Sequence, residues 1–183
     1  DMNAIRRDED MDNIHSIYVD QWDWERVITK QERTLPFLKQ IVCDIVSAIC
    51  DTHEMINDIF PALEKTVTRN VSFITSQELE DMYPDLSPKQ REDVYVKEHK
   101  TVFIMQIGKT LKSGKKHDGR APDYDDWEMN GDILMYNKVL DSALEISSMG
   151  IRVDSEALDR QLKLSDCEDR RTLMFHKMLL NNE

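Results

Sequence analysis

Cysteine is scarce in this 183-residue sequence: Cys43, Cys50 and Cys167 are the only three. Three cannot all pair within one chain. Cys43 and Cys50 lie seven apart, which on a helix separates them by about 10.5 Å along the axis, beyond disulfide reach. All three read as free thiols of a cytoplasmic protein. Long apolar runs are missing as well. None approaches ~18 residues, so no segment reads as a membrane span, and the start shows no signal-peptide pattern. The sequon Asn70-Val71-Ser72 is then a chance occurrence. Basic charge falls short of acidic, 24 Lys and Arg against 36 Asp and Glu, a formal net charge of −12. That argues against a nucleic-acid binder that works by neutralising phosphates, although a local basic patch stays compatible. Glycine and proline number five each. Gly108-Lys109-Thr110 has the form of a P-loop ending, yet Phe103 stands where the pattern requires glycine. Asp123-x-Asp125 meets Trp127 where a calcium loop needs Asp or Asn, and Asp8-x-Asp10-x-Asp12 lacks the glycine and final Glu. His53-Glu54 has no second His at the right distance, and the five histidines show no zinc-ligand spacing.

What is present suits a globular chain: 40% hydrophobic and 33% charged residues. A chain of this length hides roughly 70% of its extended surface, enough for a single core. Alternation reads Ile14 to Val27 as a strand, perhaps bent, with Gln21, Asp23 and Glu25 on one face and Tyr18, Trp22 and Trp24 on the other. Leu38, Ile41, Val42, Ile45, Val46 and Ile49 form an apolar stripe on a helix from Thr34 to Phe60, with Thr34 as its cap. A strand follows at Val71–Thr75, then a helix capped by Ser76 running to Tyr83. Ser87-Pro88 opens another helix. Thr101–Ile107 is an apolar strand, Gly108–Asn130 a loop, and Asp132–Asn137 and Ser142–Val153 are strands. Asp154–Leu164 and Asp166–Leu180 read as helices. The pattern is α+β, with a mainly antiparallel sheet flanked by helices.

Carboxylates aligned on one strand face are costly to bury unpaired. Gln21, Asp23 and Glu25 therefore face either a polar cleft or plain solvent, and pattern alone leaves both open. Asp132 and Glu145 fall on two separate strands. Two such carboxylates could serve a Mg²⁺–phosphate site, since Mg²⁺ takes one or two carboxylates plus phosphate oxygens, but on pattern alone Asp132 beside Gly131 is better read as a turn residue.

Arg7-Asp8-Glu9-Asp10 followed by Gln21-Trp22-Asp23-Trp24-Glu25 resembles motif 2 of class II aminoacyl-tRNA synthetases, the aspartyl enzymes in particular. A closer resemblance is to the ammonia-dependent aspartate–ammonia ligases of the asparagine synthetase A type. It is carried by Ser16–Glu25, Ser76-Gln77-Glu78-Leu79, Tyr83-Pro84-Asp85-Leu86, His117–Trp127, Asn130-Gly131-Asp132-Ile133-Leu134 and Glu145–Arg152, in collinear order over nearly the whole chain.

This resemblance implies a class II synthetase-like catalytic core and a homodimer. It implies ATP and Mg²⁺ as requirements, L-aspartate and ammonia as substrates, and aspartyl-AMP as the intermediate. Asparagine, AMP and pyrophosphate would be released. Arg6, matching by its spacing from Glu9, would stabilise charge at the α-phosphate; Arg7 matches the tRNA-synthetase arginine, and both stay open, with Arg6 favoured. Gln21 would hold the activated carboxylate. Glu9 and Ile14 match positions near the nucleotide, joined by Asp132 and Glu145, the same two carboxylates that would hold the metal. Asp23, Glu25, Arg120, Asp125, Ser147, Ser148 and Arg152 would bind substrate, with Arg152 gripping a carboxylate bidentately, Asp125 facing the ammonium, and Arg120 and His117 on a closing loop.

The chain begins at Asp1 and stops just after a helical pattern. Residues 1–183 are thus expected to be the central part of a single catalytic domain, without the N-terminal segment and the C-terminal glycine-rich arginine motif of the family. Alone it would be inactive, or a non-catalytic aspartate- or AMP-binding fragment. A tRNA-charging enzyme is the weaker alternative, because no anticodon domain or basic surface is visible.

Overall fold

A computed structural model describes residues 1–12 and 14–181 of the chain. They form two compact units, divided between Glu32 and Arg33.

The first unit is a hairpin. Strand β1 (Met2–Ile5) pairs antiparallel with β2 (Tyr18–Gln21), from Ile5 opposite Tyr18 to Met2 opposite Gln21. The loop between them is fixed by Asp12, whose Oδ1 accepts from the backbone N–H groups of Ile14 and His15 at 2.8 Å. Those bonds hold the Asp12 carboxyl below its usual range, the Ile14 N–H chief among them. The strand expected over Ile14–Val27 is thus only four residues long. Its ladder with β1 runs from Tyr18 to Gln21. Asp23 and Glu25 lie in irregular chain and do not share a strand face with Gln21.

The second unit is layered. Helix α1 (Leu35–Ile59) starts at Thr34, whose side chain accepts from the Phe37 N–H, and ends at Phe60. Strands β3 (Ser72–Thr75), β4 (Thr101–Met105), β5 (Asp125–Asn137) and β6 (Ser142–Arg152) form one sheet in that order. β3 and β4 are parallel, joined through α2 (Ser76–Met82) and α3 (Pro88–His99); the other two ladders are antiparallel. Every residue of β4 is buried, as a strand covered on both faces requires. One face carries Ile74, Val102, Ile104, Leu134 and Ala143 against Leu79 of α2 and Tyr95 and Val96 of α3. The other carries Phe73, Phe103 and Ile133. It is the α1 side, where Lys39 lies 4.9 Å from the centre of the Phe73 ring. Helices α4 (Ser155–Leu164) and α5 (Met174–Leu180) follow β6. Among the described residues no helix is long and apolar enough to cross a membrane.

Three expectations need correction. Helix α2 is capped by Thr75 rather than Ser76, in a reciprocal box with Glu78. The expected loop over 108–130 gives way to strand at Asp125, because Asp125 and Asn130 find partners in Arg152 and Gly150. The helix expected over 166–180 breaks at Leu173, whose ψ of 139° is extended. The break lets a 3-10 turn at Glu168–Thr172 and helix α5 turn Arg170 and His176 onto the same carboxylate, Asp123, at 3.0 and 3.5 Å.

Close approach at Gly131 fixes the β4–β5 crossing. A Cβ there would meet the Ile104 carbonyl oxygen at 2.3 Å and the Phe103 ring at 2.7 Å. Gly131→Ala is expected to lower stability by about 1–3 kcal/mol, and Thr75→Ala by about 1 kcal/mol. Urea unfolding of both variants checks this; an unchanged midpoint for Gly131→Ala would contradict the crowding.

Candidate active site

Asp132 sits in the middle of β5, opposite Ile104 on one side and Ser148 on the other. Its side chain is 7% exposed, and an ionised carboxylate at such a position requires a counter-charge. Arg120 provides it through an ion pair to Oδ2. The same guanidinium holds Asp118 at 2.6 Å. The other oxygen of Asp132, Oδ1, is buried without a hydrogen-bond partner. Burial pushes the Asp132 carboxyl up, with Arg120 pulling against it. For Arg120 the loss of solvent acts downward, but Asp132 and Asp118 outweigh it and hold the guanidinium above its usual value.

Glu145 reaches this face only through a β-bulge. It lies three positions before Ser148, so on a regular strand the two would point to opposite faces. Ser147 pairs with Ile133 and Glu145 with Leu134, leaving Ile146 as the extra residue. That returns Glu145 to the side of Leu134 and Asp132. Glu145 is open to solvent on its outer side. Its inner surroundings still push its carboxyl up, first by desolvation and next by Asp132, against Arg120. The same register separates the two serines expected to act together. Ser148 faces with Asp132, whereas Ser147 faces with Ile133 on the α1 side.

Asp125 and Arg152, both expected at the substrate, are bonded to each other at 2.5 Å. The Arg152 guanidinium also stacks 3.5 Å from the centre of the Tyr124 ring. Gly150 allows this packing, since a Cβ there would meet Asp125 Cγ and Asn130 Cβ at 2.8 Å. His117 is buried with Nε2 3.0 Å from Glu92 of α3.

The segment bearing these residues is held from α4. The fully buried Gln161 accepts from the Trp127 N–H at 2.8 Å and donates to the carbonyls of Pro122 and Asp125 at 2.9 and 3.0 Å. Asp126 is flanked by Arg33 at 2.7 Å and Arg160 at 3.1 Å. Sequence reasoning missed Asp118, Glu92 and Gln161 as parts of this arrangement. Asp118 had a signal, its place two residues before Arg120. Glu92 and Gln161 act over 25 and 36 residues of chain and had none.

In the first unit Arg6 pairs with Glu9 at 3.0 Å. Arg7 reaches Asp8 at 3.7 Å and is 93% exposed. Ile14 is placed by its N–H bond to Asp12, and Gln21 ends β2.

Asp132 and Glu145 can offer two carboxylates to a cation whose other ligands are phosphate oxygens. The orphaned Oδ1 fits that role. Among the described residues, no three His, Cys, Asp or Glu side chains are placed to hold a metal by themselves.

The family model for aspartate–ammonia ligase matches residues 1–183. The chain is 62% identical over 183 residues to an aspartate–ammonia ligase of Clostridium tetani, 61% to one of Ruminiclostridium cellulolyticum, and 56% over 181 residues to one of Fusobacterium nucleatum. These alignments cover 99–100% of the chain and 54–55% of the relatives. The chain thus spans about half the length of the curated relatives it matches. A family match that runs from the first residue to the last, over both units and every strand of the site, makes this chain a member of the aspartate–ammonia ligase family.

Proposed function

We propose that the protein containing this chain joins ammonia to L-aspartate at the expense of ATP, making L-asparagine. A carboxylate oxygen of the aspartate side chain attacks the α-phosphorus and pyrophosphate leaves. Ammonia then attacks the acyl carbon of aspartyl-AMP, AMP leaves, and the surplus proton goes to solvent. The observation that carries this reading is the set Arg120, Asp132, Glu145 and Ser148 on one sheet face, in a chain that its family matches end to end. On this reading the chain is the central part of a class II synthetase-like catalytic domain, in a homodimeric cytoplasmic enzyme. The three free cysteines fit a reducing compartment.

Each side chain has a part. Arg6 stabilises charge growing on the α-phosphate, and its pair with Glu9 favours it over the outward Arg7. Glu9 and Ile14 border the nucleotide, and Gln21 holds the activated carboxylate. Asp132 and Glu145 would hold Mg²⁺, which would neutralise the phosphates when bound. Arg120, Ser148, Asp125 and Arg152 of the second unit orient aspartate; for Asp23 and Glu25 of the first unit, a part in substrate binding rests on the family resemblance alone. Ser147 acts from the far face of β6, through the strand rather than by contact.

The full-length protein is expected to form AMP and pyrophosphate only when both aspartate and ammonia are supplied. Formation of ADP and phosphate would overturn the scheme, and tRNA-dependent aspartate transfer would move the chain to the synthetases. Arg6→Ala is expected to lower kcat by about 10²–10³, as loss of one transition-state donor does, with circular dichroism unchanged.

The carboxylate pair has a stability signature too. The Glu145 carboxyl is raised in the folded chain, so its charged form opposes folding. The cost is absent below the ordinary value of 4.5, grows as pH rises through the window above it, and is complete once the folded group has ionised. Glu145→Gln should therefore raise the urea midpoint at pH 7 and lose that advantage as pH falls toward 4.5. The gain is at most ~1 kcal/mol, because solvent screens the outer side of this carboxylate. A variant less stable than the parent at pH 7 would contradict the like-charge pairing.

A further inference from the structure

We propose that Arg120 is a built-in counter-cation: in the nucleotide-free protein it occupies the Asp132 carboxylate, keeps bare divalent cations out, and yields the site only when a cation arrives already bound to nucleotide. This rests on the reading of Asp132 and Glu145 as the metal-binding pair.

Charge carries the argument first. Asp118 and Asp132 share one guanidinium, that of Arg120, and the bulge sets Glu145 on the same sheet face as Asp132. Three carboxylates thus stand against one cation, and Glu92 nearby is engaged with His117 and Lys89. Glu145 makes no ion pair among the described residues, and Oδ1 of Asp132 is buried without a partner. A more than nine-tenths buried carboxylate with one oxygen free is incomplete for a structural ion pair, where every lone pair must be satisfied to offset desolvation. It is complete for a site that exchanges one cation for another.

The placement of Arg120 supports exchange. It stands on the three-residue segment Asp118-Gly119-Arg120, which bonds mainly to itself: Gly119 N–H to Asp118 at 2.7 Å, and Arg120 to Asp118 and to the Gly119 carbonyl at 2.6 and 2.8 Å. Nothing lies within 4 Å of where a Gly119 Cβ would be, so no other part of the unit packs against Gly119 on that side. Asp118 travels with Arg120 and shields its charge during the move. Once off Asp132, the guanidinium is a fork for a carboxylate or a phosphate, and release of the latch thereby prepares the site for an anion.

The test uses the full-length protein and Mn²⁺ as the probe, with free Mn²⁺ counted by electron paramagnetic resonance. The parent is expected to bind Mn²⁺ weakly alone and tightly with a non-hydrolysable ATP analogue. Arg120→Met should bind bare Mn²⁺ roughly tenfold more tightly than the parent, well beyond general charge removal. Arg120→Lys, which keeps a cation, should stay near the parent. Lys65→Met, at an exposed residue away from this site, makes the same change in net charge and should alter Mn²⁺ affinity by less than about twofold. If Arg120→Met lacks the parent's circular dichroism, Arg120→Gln is read in its place. Bare-Mn²⁺ affinity unchanged or weaker in the Arg120 variant, or raised equally by Lys65→Met, overturns the latch. Asp132→Asn separates the two readings. Loss of nucleotide-dependent Mn²⁺ in it keeps the metal pair even where the latch has failed, whereas its retention overturns the metal pair and the latch together.

Discussion

A carboxylate stands within the buried stretch of β5, directly before Ile133, Leu134 and Met135, and the rest of the second unit is arranged around making that tolerable. Asp132 lies between Ile104 and Ser148, with Ile133 and Leu134 following it into the core. Moving such a charge out of water costs several kcal/mol, and one ion pair seldom recovers it in full. Arg120 supplies the attraction, yet one oxygen stays unsatisfied. A fold under selection for stability alone would place an apolar residue here. The charge is retained at a thermodynamic loss, and the loss is local to the face that the family resemblance marks for chemistry.

The chain between Arg120 and Asp132 is fixed from α4 by a neutral group. Gln161 uses all of its amide: the oxygen on the Trp127 N–H, the two hydrogens on the carbonyls of Pro122 and Asp125. A charged residue at that depth would disturb the balance of Arg120, Asp125 and Arg152, whereas an amide sets geometry without adding to the field. Charge is used one step further out, where Arg33 and Arg160 flank Asp126, and Arg170 and His176 meet Asp123. The segment from Asp123 to Trp127 is thus clamped at successive residues, while Asp118 to Arg120 just before it is tied mainly to itself.

Much of this was legible in the sequence, for reasons that differ between elements. Helix α1 was readable because its stripe, its Thr34 cap and Pro61 beyond its end all agree. The cap of α3 was readable from Ser87-Pro88. Alternation over Ile14–Val27 shows where a strand could lie and not which of its residues find a ladder partner, and only Tyr18–Gln21 do. Residues 125–130 looked like loop because Pro122, Gly119 and the acidic run dominate the local composition, while the pairing that makes them strand lies 20 to 27 residues further on. The helix break at Leu173 leaves no local mark, since the pull of Asp123 on both sides of it is tertiary.

The site divides in the same way. The residue types were legible through the family resemblance, but their grouping depends on one inserted residue. Without Ile146 as a bulge, strict alternation sets Glu145 and Ser148 on opposite faces, and the two carboxylates never meet. With it, Glu145 joins Asp132, while Ser147 and Ser148 are still divided, because the bulge falls before both. A period-of-two count therefore misplaces Glu145 and places the serines correctly. The motif Glu145-Ile146-Ser147-Ser148 carries its function in a register shift, a property of the ladder that no residue in it discloses by type. Ile146 is 41% exposed, a large apolar side chain with little to bury it. Its place in the sequence follows from geometry rather than packing: it is the residue that must be passed over for Glu145 to share the face of Asp132.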